Sequence, residues 1–184
     1  GALRHSADDE VLKEVAGQLA SGDLKLALAY AEPGSRHQLS HVETRAAKDG
    51  DSYLLTGSKS VVLGAPEADK VIVSARTSGG TTDIEGISLF ILDRSMSGMT
   101  IGEYFLIDGR VAADVRLDGV RVDAACLIGD SGAGHAVLER TVDEAAIASC
   151  HESLGAMEKL NQITLEYSRE RVAFGQPISK YQAV

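Results

Sequence analysis

The sequence lacks the features that recruit several large classes of partner. Its 184 residues carry 18 Lys and Arg against 27 Asp and Glu, a net charge of −9. Because the chain has no basic cluster, it has no face that would bind nucleic acid or an anionic membrane surface, and neither partner is predicted. Tryptophan is absent and aromatic residues make up only 4%, so a flavin or base-stacking site would have few rings to use.

Cysteines, signal sequences and membrane segments are equally scarce. The two cysteines, Cys126 and Cys150, have neither the spacing nor the neighbours of a metal site or redox pair. Reduced thiols and a cytoplasmic location are therefore predicted. The N-terminus GALRHSADDEVL does not have the pattern of a signal peptide, and no apolar run is long enough to span a bilayer. The five histidines form no helical i, i+4 pair with a carboxylate between, so no metal site is predicted.

The chain is arranged around the stretch Leu24 to Ser35, LKLALAYAEPGS. Its apolar run predicts a strand, and Pro33-Gly34 ends it because proline has no amide donor and glycine tolerates turn conformations. Upstream, an N-cap at Ser6, a helical apolar period and a stop at Gly22 predict one short helix. The end of the strand is the predicted place for a ligand.

Downstream, strand and turn signals alternate at short intervals, as in an antiparallel sandwich or barrel. The candidate strands are His41 to Lys48, Tyr53 to Val62, Lys70 to Arg76, Gly86 to Asp93, Met99 to Tyr104 and Ala113 to Val122. Asp49-Gly50 predicts a two-residue hairpin. From Gly134 the apolar period is helical, which predicts either one helix of about thirty-five residues or two with a break at Gly155. A further helix is expected to begin at Ile178.

Three short motifs have a binding and a structural interpretation. Gly129 to Gly134 offers backbone amides to a phosphate, but its glycines miss the dinucleotide-binding spacing, which favours a helix cap. Gly57-Ser58-Lys59-Ser60 lacks the preceding glycine of a P-loop. Ser35, His37 and Asp49 have the residue types of a nucleophilic triad, but no G-x-S-x-G elbow presents the serine.

The closing segment is more specific. Gly175 predicts the end of the long helix, and Pro177 predicts the start of the next one. Packing alone does not require Arg171 and Phe174 on one terminal turn. An arginine there has planar donors suited to a phosphate or carboxylate, which suggests a binding role.

Taken in order, several motifs closely resemble the acyl-CoA dehydrogenase family. They are Ala31-Glu32-Pro33-Gly34, Gly57-x-Lys59, Ala68-Asp69, Gly86-Ile87-Ser88-Leu89-Phe90, Val120-Arg121-Val122 with Leu127-Ile128-Gly129, and Arg171-x-x-Phe174-Gly175-x-Pro177-Ile178. The resemblance implies an α+β fold with a central antiparallel β-barrel or sandwich. It also implies three parts: residues 1–23 end an N-terminal helical domain, 24–130 form a middle domain, and 131–184 begin a truncated C-terminal helix bundle.

The resemblance implies FAD-dependent α,β-dehydrogenation of an acyl-CoA thioester, in which a glutamate removes the α proton while flavin N5 accepts the β hydride. The implied cofactor contacts are Leu28, Ala29, Ala31, Val61, Val62, Leu63, Arg171, Phe174 and Gln182. The implied acyl-CoA contacts are Ser35, Arg36 and His37. The implied partners are other subunits of a homo- or hetero-oligomer, a dimer or tetramer that completes the flavin site, and an electron-transferring flavoprotein. The fragment alone is expected to be inactive.

The chain departs from the family where flavin contacts are expected. Ala31 stands where a threonine bonds the flavin, Val61 where a tryptophan covers the ring, and Leu63 at the next hydroxyl position. These changes leave a second interpretation open, a structural subunit of a heteromeric dehydrogenase without its own flavin. Small subunits of pimeloyl-CoA-type dehydrogenases are similar in this region.

The catalytic base is also open. The majority position in the family lies beyond Val184, and Asp143 and Glu144 on the long helix are secondary candidates. A third interpretation, a stand-alone β interaction module, is disfavoured because it leaves the long amphipathic helix without a partner.

Overall fold

The computed structural model describes residue 2 and residues 10–181, with side chains at residue 2 and from residue 13 onward. The chain divides into two compact units, Gly1–Thr141 and Val142–Val184. The expected N-cap at Ser6 lies outside the described residues. No helix within the described ranges has the length and apolar character needed to cross a bilayer.

The first unit is a sheet with one short helix against it. Helix α1 spans Glu10–Ser21. The eight strands are β1 Leu26–Ala29, β2 Arg45–Asp49, β3 Ser52–Leu63, β4 Lys70–Arg76, β5 Ile87–Asp93, β6 Met99–Phe105, β7 Val111–Asp123 and β8 Leu127–Ile128. The sequence therefore located every strand longer than two residues to within a few positions. The hairpin expected at Asp49-Gly50 joins β2 to β3, with Gly50 and Asp51 at its centre.

The sheet is open, so the expected closure into a barrel is wrong. The strand order is β6-β7-β3-β2-β4-β5-β8, with β1 paired to β4. Its end strands, β6 and β8, do not pair with each other, and β8 has only two residues, Leu127 and Ile128, both paired with β5. The antiparallel prediction also fails locally, because β1 and β2 both run parallel to β4 along the same side of it.

The core lies on both faces of β4 and β5. On one face, Val71, Val73 and Phe90 join a cluster that includes strands β3 and β7. On the other face, Ile72 and Leu89 pack with α1 residue Val15 in a second cluster. Because both faces of these two strands are covered, their sequences are nearly continuous apolar runs rather than alternating ones.

The long helix α2 spans Gly134–Glu170 without a break at Gly155, so the single-helix alternative is confirmed. The prediction that Gly175 terminates this helix is wrong, because the helix ends at Glu170 and Gly175 lies beyond it. Val172–Ala173 (β9) and Gln176–Pro177 (β10) form a small antiparallel hairpin. Its two central residues, Phe174 and Gly175, have φ values of 50° and 86°, as a type I′ turn requires. The helix expected from Ile178 is a short 3₁₀ turn, Ile178–Lys180, and residues 182–184 lie outside the described part.

A buried arginine at the end of β4 organises the loops beside the sheet. Arg76 is 1% exposed, and its guanidinium donates to six backbone carbonyls at 2.9–3.5 Å. The acceptors are Ser40, Val42, Ser78, Thr81, Asp83 and Glu85. The planar fork of arginine therefore joins the loop before β2 to the loop between β4 and β5.

We expect Arg76→Lys to lower the free energy of unfolding by about 2–3 kcal/mol, because a single ammonium leaves several of these carbonyls without a donor. Urea denaturation of the two proteins measures the loss. Arg116→Lys on the exposed face of β7 is the matched control and should change stability by less than about 0.5 kcal/mol. Equal effects of the two substitutions would contradict the structural role of Arg76.

Candidate functional site

The end of β1 and the second half of β3 meet at one place. The amide of Ser60 donates to the carbonyl oxygen of Ala31 at 2.9 Å. This bond lies outside the regular ladder and fixes Ala31, two residues after the end of β1, close to Val61. The structure therefore brings together two of the segments, around Ala31 and around Val61, that the resemblance assigns to cofactor contacts.

Strand β3 contains a bulge at this point. Lys59 faces Val115 and Val62 faces Ala113, so two residues of β3, Ser60 and Val61, oppose one residue of β7. Val61 has φ 53°, a conformation that a β-branched residue adopts only under strain. Such outliers occur often at ligand sites.

The bulge presents apolar side chains outward. Val61 and Leu63 are 52% and 45% exposed, whereas Val62 between them is buried. Ala29 is buried as well, so neither Ala29 nor Val62 is exposed on this surface. Leu28 is half-buried against the cluster that contains Ile72. The available surface is therefore apolar and carries no side-chain hydroxyl at Ala31, Val61 or Leu63.

A buried ion pair lies directly beneath this surface. The Lys59 ammonium donates to Glu32 Oε1 at 2.7 Å, and the two side chains are 0% and 2% exposed. Lys59 also donates to Ser74 Oγ at 2.9 Å and to the Tyr30 carbonyl at 3.5 Å. The Glu32 carboxylate accepts three further bonds, from the amides of Glu43 and Thr44 and from the Thr44 hydroxyl.

Each of the two charges offsets the cost of burying the other. Burial raises the pKa of Glu32, but the Lys59 charge and the bonds from Lys59, Thr44 and the Glu43 amide outweigh it and hold that pKa below its ordinary value of 4.5. Burial lowers the pKa of Lys59 to about 8, with Glu32 opposing the shift. Both groups are therefore charged at pH 7.

The loop after Pro33 carries the residues predicted to bind acyl-CoA. The Ser35 hydroxyl is buried and bonds locally, donating to the Glu32 carbonyl at 2.9 Å and accepting from the Glu32 amide at 3.2 Å. Arg36 and His37 are exposed and have φ values of 44° and 70°. The loop thus presents two basic side chains from a strained backbone next to the end of β1.

Contacts in the first unit bear on the glycine-rich segment Gly129 to Gly134 and on a group of potential metal ligands that the sequence did not indicate. The Gly132 amide donates to Ser88 Oγ at 2.8 Å, and a Cβ at Gly134 would lie 3.0 Å from the Ile87 carbonyl oxygen. These glycines therefore allow close packing on β5 at the start of α2, as the cap interpretation expects. Glu32, His41 and Glu43 place three potential metal ligands within 4.8 Å of one another. Since Lys59 already neutralises Glu32, a cation there would meet a positive charge, and we assign the group to hydrogen bonding.

The remaining predicted residues belong to the second unit. Phe174 is 98% exposed at the tip of the β9–β10 hairpin, and the Arg171 carbonyl accepts from the Ile178 amide at 2.9 Å. Asp143 is exposed and Glu144 half-buried on α2. Gln182 lies outside the described residues. The roles of these residues stay predictions.

Sequence reasoning missed two features of the site. The first is the partnership of Glu32 with Lys59, although a lysine at the inward position of β3, in line with Tyr53 and Leu55, was a signal that a buried acid must face it. The second is the hydroxyl of Tyr104, which with Asp114 bonds the Val61 amide. No spacing in the sequence indicates that pair, because it joins two strands to a third.

We expect Glu32→Gln to lower the free energy of unfolding by about 3–5 kcal/mol, because it leaves the buried Lys59 ammonium without a counter-charge. Adding Lys59→Met removes the second charge and should recover a large part of the loss. Chemical denaturation at pH 7 measures both. The exposed control Glu43→Gln should stay within about 0.5 kcal/mol of the wild type. A double variant as unstable as Glu32→Gln alone would show that the two charges do not depend on each other.

The difference in stability between the wild type and the double variant should also depend on pH, and the sign of that dependence follows from the pKa of Glu32. A carboxyl whose pKa is lowered by folding stabilises the folded state above its unfolded pKa, here about 4.5, and loses that contribution as the pH falls through the folded value. The advantage of the wild type over the double variant should therefore shrink below about pH 4.5. An unchanged difference in stability between about pH 6 and about pH 3, which lie above and below the ordinary carboxyl pKa, would contradict this.

Comparison with known proteins identifies relatives of this chain. The family model for the acyl-CoA dehydrogenase middle domain matches residues 27–120. A 3-(aryl)acrylate reductase from Clostridium sporogenes is 30% identical over 96% of this chain and 47% of its own length. Caffeyl-CoA reductase-Etf complex subunit CarC from Acetobacterium woodii is 30% identical over 100% of this chain and 49% of its own.

The fold is shared with solved structures of the same kind. The structure of butyryl-CoA dehydrogenase from Megasphaera elsdenii superposes with a TM-score of 0.91 at 28% identity, over 98% of this chain and 48% of that one. The chain thus spans about half the length of the relatives it matches. More than half of its residues fall within the family match, and the chain belongs to the acyl-CoA dehydrogenase family.

Proposed function

We propose that the protein containing this chain is an FAD-dependent acyl-CoA dehydrogenase that oxidises an acyl-CoA thioester between its α and β carbons. The observation that carries the proposal is the exposed apolar pair Val61 and Leu63, held by a strained bulge beside the end of β1. Members of the family are FAD-dependent. FAD, when bound, would supply the acceptor for the hydride.

The residues at the bulge fit a flat, largely apolar ring. Val61 and Leu63 offer van der Waals contact, and the backbone around Ala31 and Val61, both at least partly exposed, offers hydrogen-bonding groups. The Glu32–Lys59 pair beneath them keeps this backbone in place without presenting a charge to the ring, since both side chains are buried. Loss of the family hydroxyls at positions 31 and 63 implies weaker hydrogen bonding to the flavin than the family pattern provides.

The loop after the strand end is proposed to bind the acyl-CoA. Arg36 and His37 are exposed there, and an arginine guanidinium binds phosphate oxygens in a planar, two-pronged geometry. The buried Ser35 hydroxyl closes the turn on Glu32 and so fixes the direction in which these side chains leave the chain. The acyl group would then lie towards the apolar surface at Val61.

The whole protein is proposed to have three domains, with residues 1–23, 24–130 and 131–184 contributing to an N-terminal helical, a middle and a C-terminal bundle domain. Helix α2 supports the third part. It exposes a series of large apolar side chains, Ile147, Leu154, Met157, Leu160, Ile163, Leu165 and Tyr167. A helix in water with this much apolar surface needs other helices against it.

Other subunits and an electron acceptor complete the proposal. We place Arg171, Phe174 and Gln182 at the FAD of a neighbouring subunit in a dimer or tetramer, and Phe174 is exposed enough to serve there. An electron-transferring flavoprotein is the proposed acceptor, because a relative is named as a subunit of a reductase-Etf complex. A cytoplasmic location is proposed from the reduced cysteines.

A second candidate function is a structural subunit that holds no flavin. The observation in its favour is the joint absence of a hydroxyl at Ala31 and Leu63 and of an aromatic ring at Val61. Such a subunit would shape the substrate site of a heteromeric partner. The two candidates differ in one property, the binding of FAD by the protein itself.

The visible spectrum of the full-length protein after extensive dialysis separates them. We expect a flavin band, and we expect it to bleach under anaerobic conditions with at least one member of a panel of acyl-CoA thioesters. Crotonyl-CoA, which is already unsaturated, is the matched control and should not bleach it. A folded oligomer with no flavin band, even after incubation with FAD, would favour the structural subunit.

The catalytic base is proposed to lie beyond Val184, so Asp143 and Glu144 should be dispensable. We expect Asp143→Asn and Glu144→Gln in the full-length enzyme to change kcat less than about threefold, because removal of a general base costs at least about a hundredfold. Steady-state turnover of the preferred acyl-CoA is the measurement. A loss of two or more orders of magnitude in one variant would identify that carboxylate as the base.

A further inference from the structure

The amide of Val61 is bonded in an unusual way. An ordinary residue of β3 donates to the neighbouring strand's backbone, but Val61 N–H lies 3.3 Å from Asp114 Oδ1 and 3.2 Å from the Tyr104 hydroxyl. The Tyr104 hydroxyl in turn donates to Asp114 Oδ1 at 3.0 Å. Three strands, β3, β6 and β7, meet in this small group, which we call the Tyr104–Asp114 clamp.

The bulge that the clamp holds reverses which side chains of β3 point into the core. Tyr53, Leu55 and Lys59 are buried at odd positions, but beyond the bulge the buried residue is Val62. Without the extra residue, Val61 would point inward like Lys59, and Val62 would point outward. The exposure of Val61 and Leu63 therefore depends on the bulge.

The bulge needs external support because its conformation is unfavourable. Val61 is β-branched and has φ 53°, a region that such residues avoid. Its amide has also left the regular ladder, so it needs an acceptor other than the backbone of the neighbouring strand. The clamp gives this amide two acceptors, and the Ser60–Ala31 bond holds the other side of the bulge.

We propose that Tyr104 and Asp114 are positioning residues for FAD binding, which act by holding Val61 in its left-handed conformation. The proposal rests on the proposed function, because it takes the Val61–Leu63 surface as the flavin surface. Neither side chain is required to touch the flavin. Tyr104 keeps its hydroxyl proton under working conditions, since burial and the neighbouring Asp114 both raise its pKa.

The test measures FAD affinity of the full-length protein, stripped of flavin and titrated by flavin fluorescence. We expect Tyr104→Phe to weaken FAD binding about three- to tenfold, the effect of one lost hydrogen bond. Tyr53→Phe is the matched control, since Tyr53 lies on β3 but its ring is buried in the core against Phe90. Its dissociation constant should change less than about twofold.

A second variant distinguishes positioning from general destabilisation. Glycine adopts positive φ without strain, so Val61→Gly no longer needs the clamp to hold its backbone. In the Val61→Gly background, Tyr104→Phe should therefore weaken FAD binding less than about twofold, although Val61→Gly alone also loses apolar contact. Thermal unfolding of each flavin-free variant shows that all are folded at the temperature of the titration.

The effect of Tyr104→Phe in the two backgrounds tests whether Tyr104 acts through Val61. A large effect of Tyr104→Phe that disappears in the glycine background supports the proposal. An equal effect in both backgrounds overturns the action through Val61, and no effect in either overturns the role of Tyr104. A wild-type protein that binds no FAD refutes the proposed function and this inference together, and this failure is distinguishable because it appears before any substitution is made.

Discussion

The first unit of this protein depends on one buried ion pair. Glu32 follows the end of β1, and Lys59 lies in the middle of β3, 27 residues away along the chain. Removing one partner would leave a charge in the core, so each requires the other. Because Glu32 also accepts bonds from Glu43 and Thr44, the pair ties three chain segments to one point. The direction in which the chain leaves β1 is set there.

This constraint extends outward from the pair to the surface. Lys59 is the last inward residue before the bulge, so anchoring it fixes where the bulge begins. The Ser60–Ala31 bond and the clamp at Val61 then hold the extra residue from either side. The result is an exposed apolar surface on a rigid base, and a rigid base reduces the ordering that a bound ligand must bring about.

Much of the fold was readable from the sequence, because periodicity and turn residues are local signals. Strand β4 was predicted with the bounds Lys70–Arg76 that the structure has, since it is apolar on both faces and ends in polar residues. The closing hairpin was not predictable in this way. A glycine after a helical period indicates a helix end, whereas the structure places Phe174 at positive φ before it, which phenylalanine rarely adopts. Closure of the sheet was also misjudged, because turn signals show that strands alternate but not which of them lie at an edge.

Only part of the candidate site could be predicted from the sequence, for a related reason. Pro33-Gly34 predicted a location at the end of β1, but the contacts that support this candidate site join distant residues such as Glu32 and Lys59. The most direct test of the account is a crystal structure of the full-length protein grown with FAD. We predict the flavin ring within about 4 Å of Val61 and Leu63, the usual distance of apolar contact, above an intact Glu32–Lys59 pair. A flavin bound elsewhere, or ordered FAD with Val61 turned inward, would contradict it.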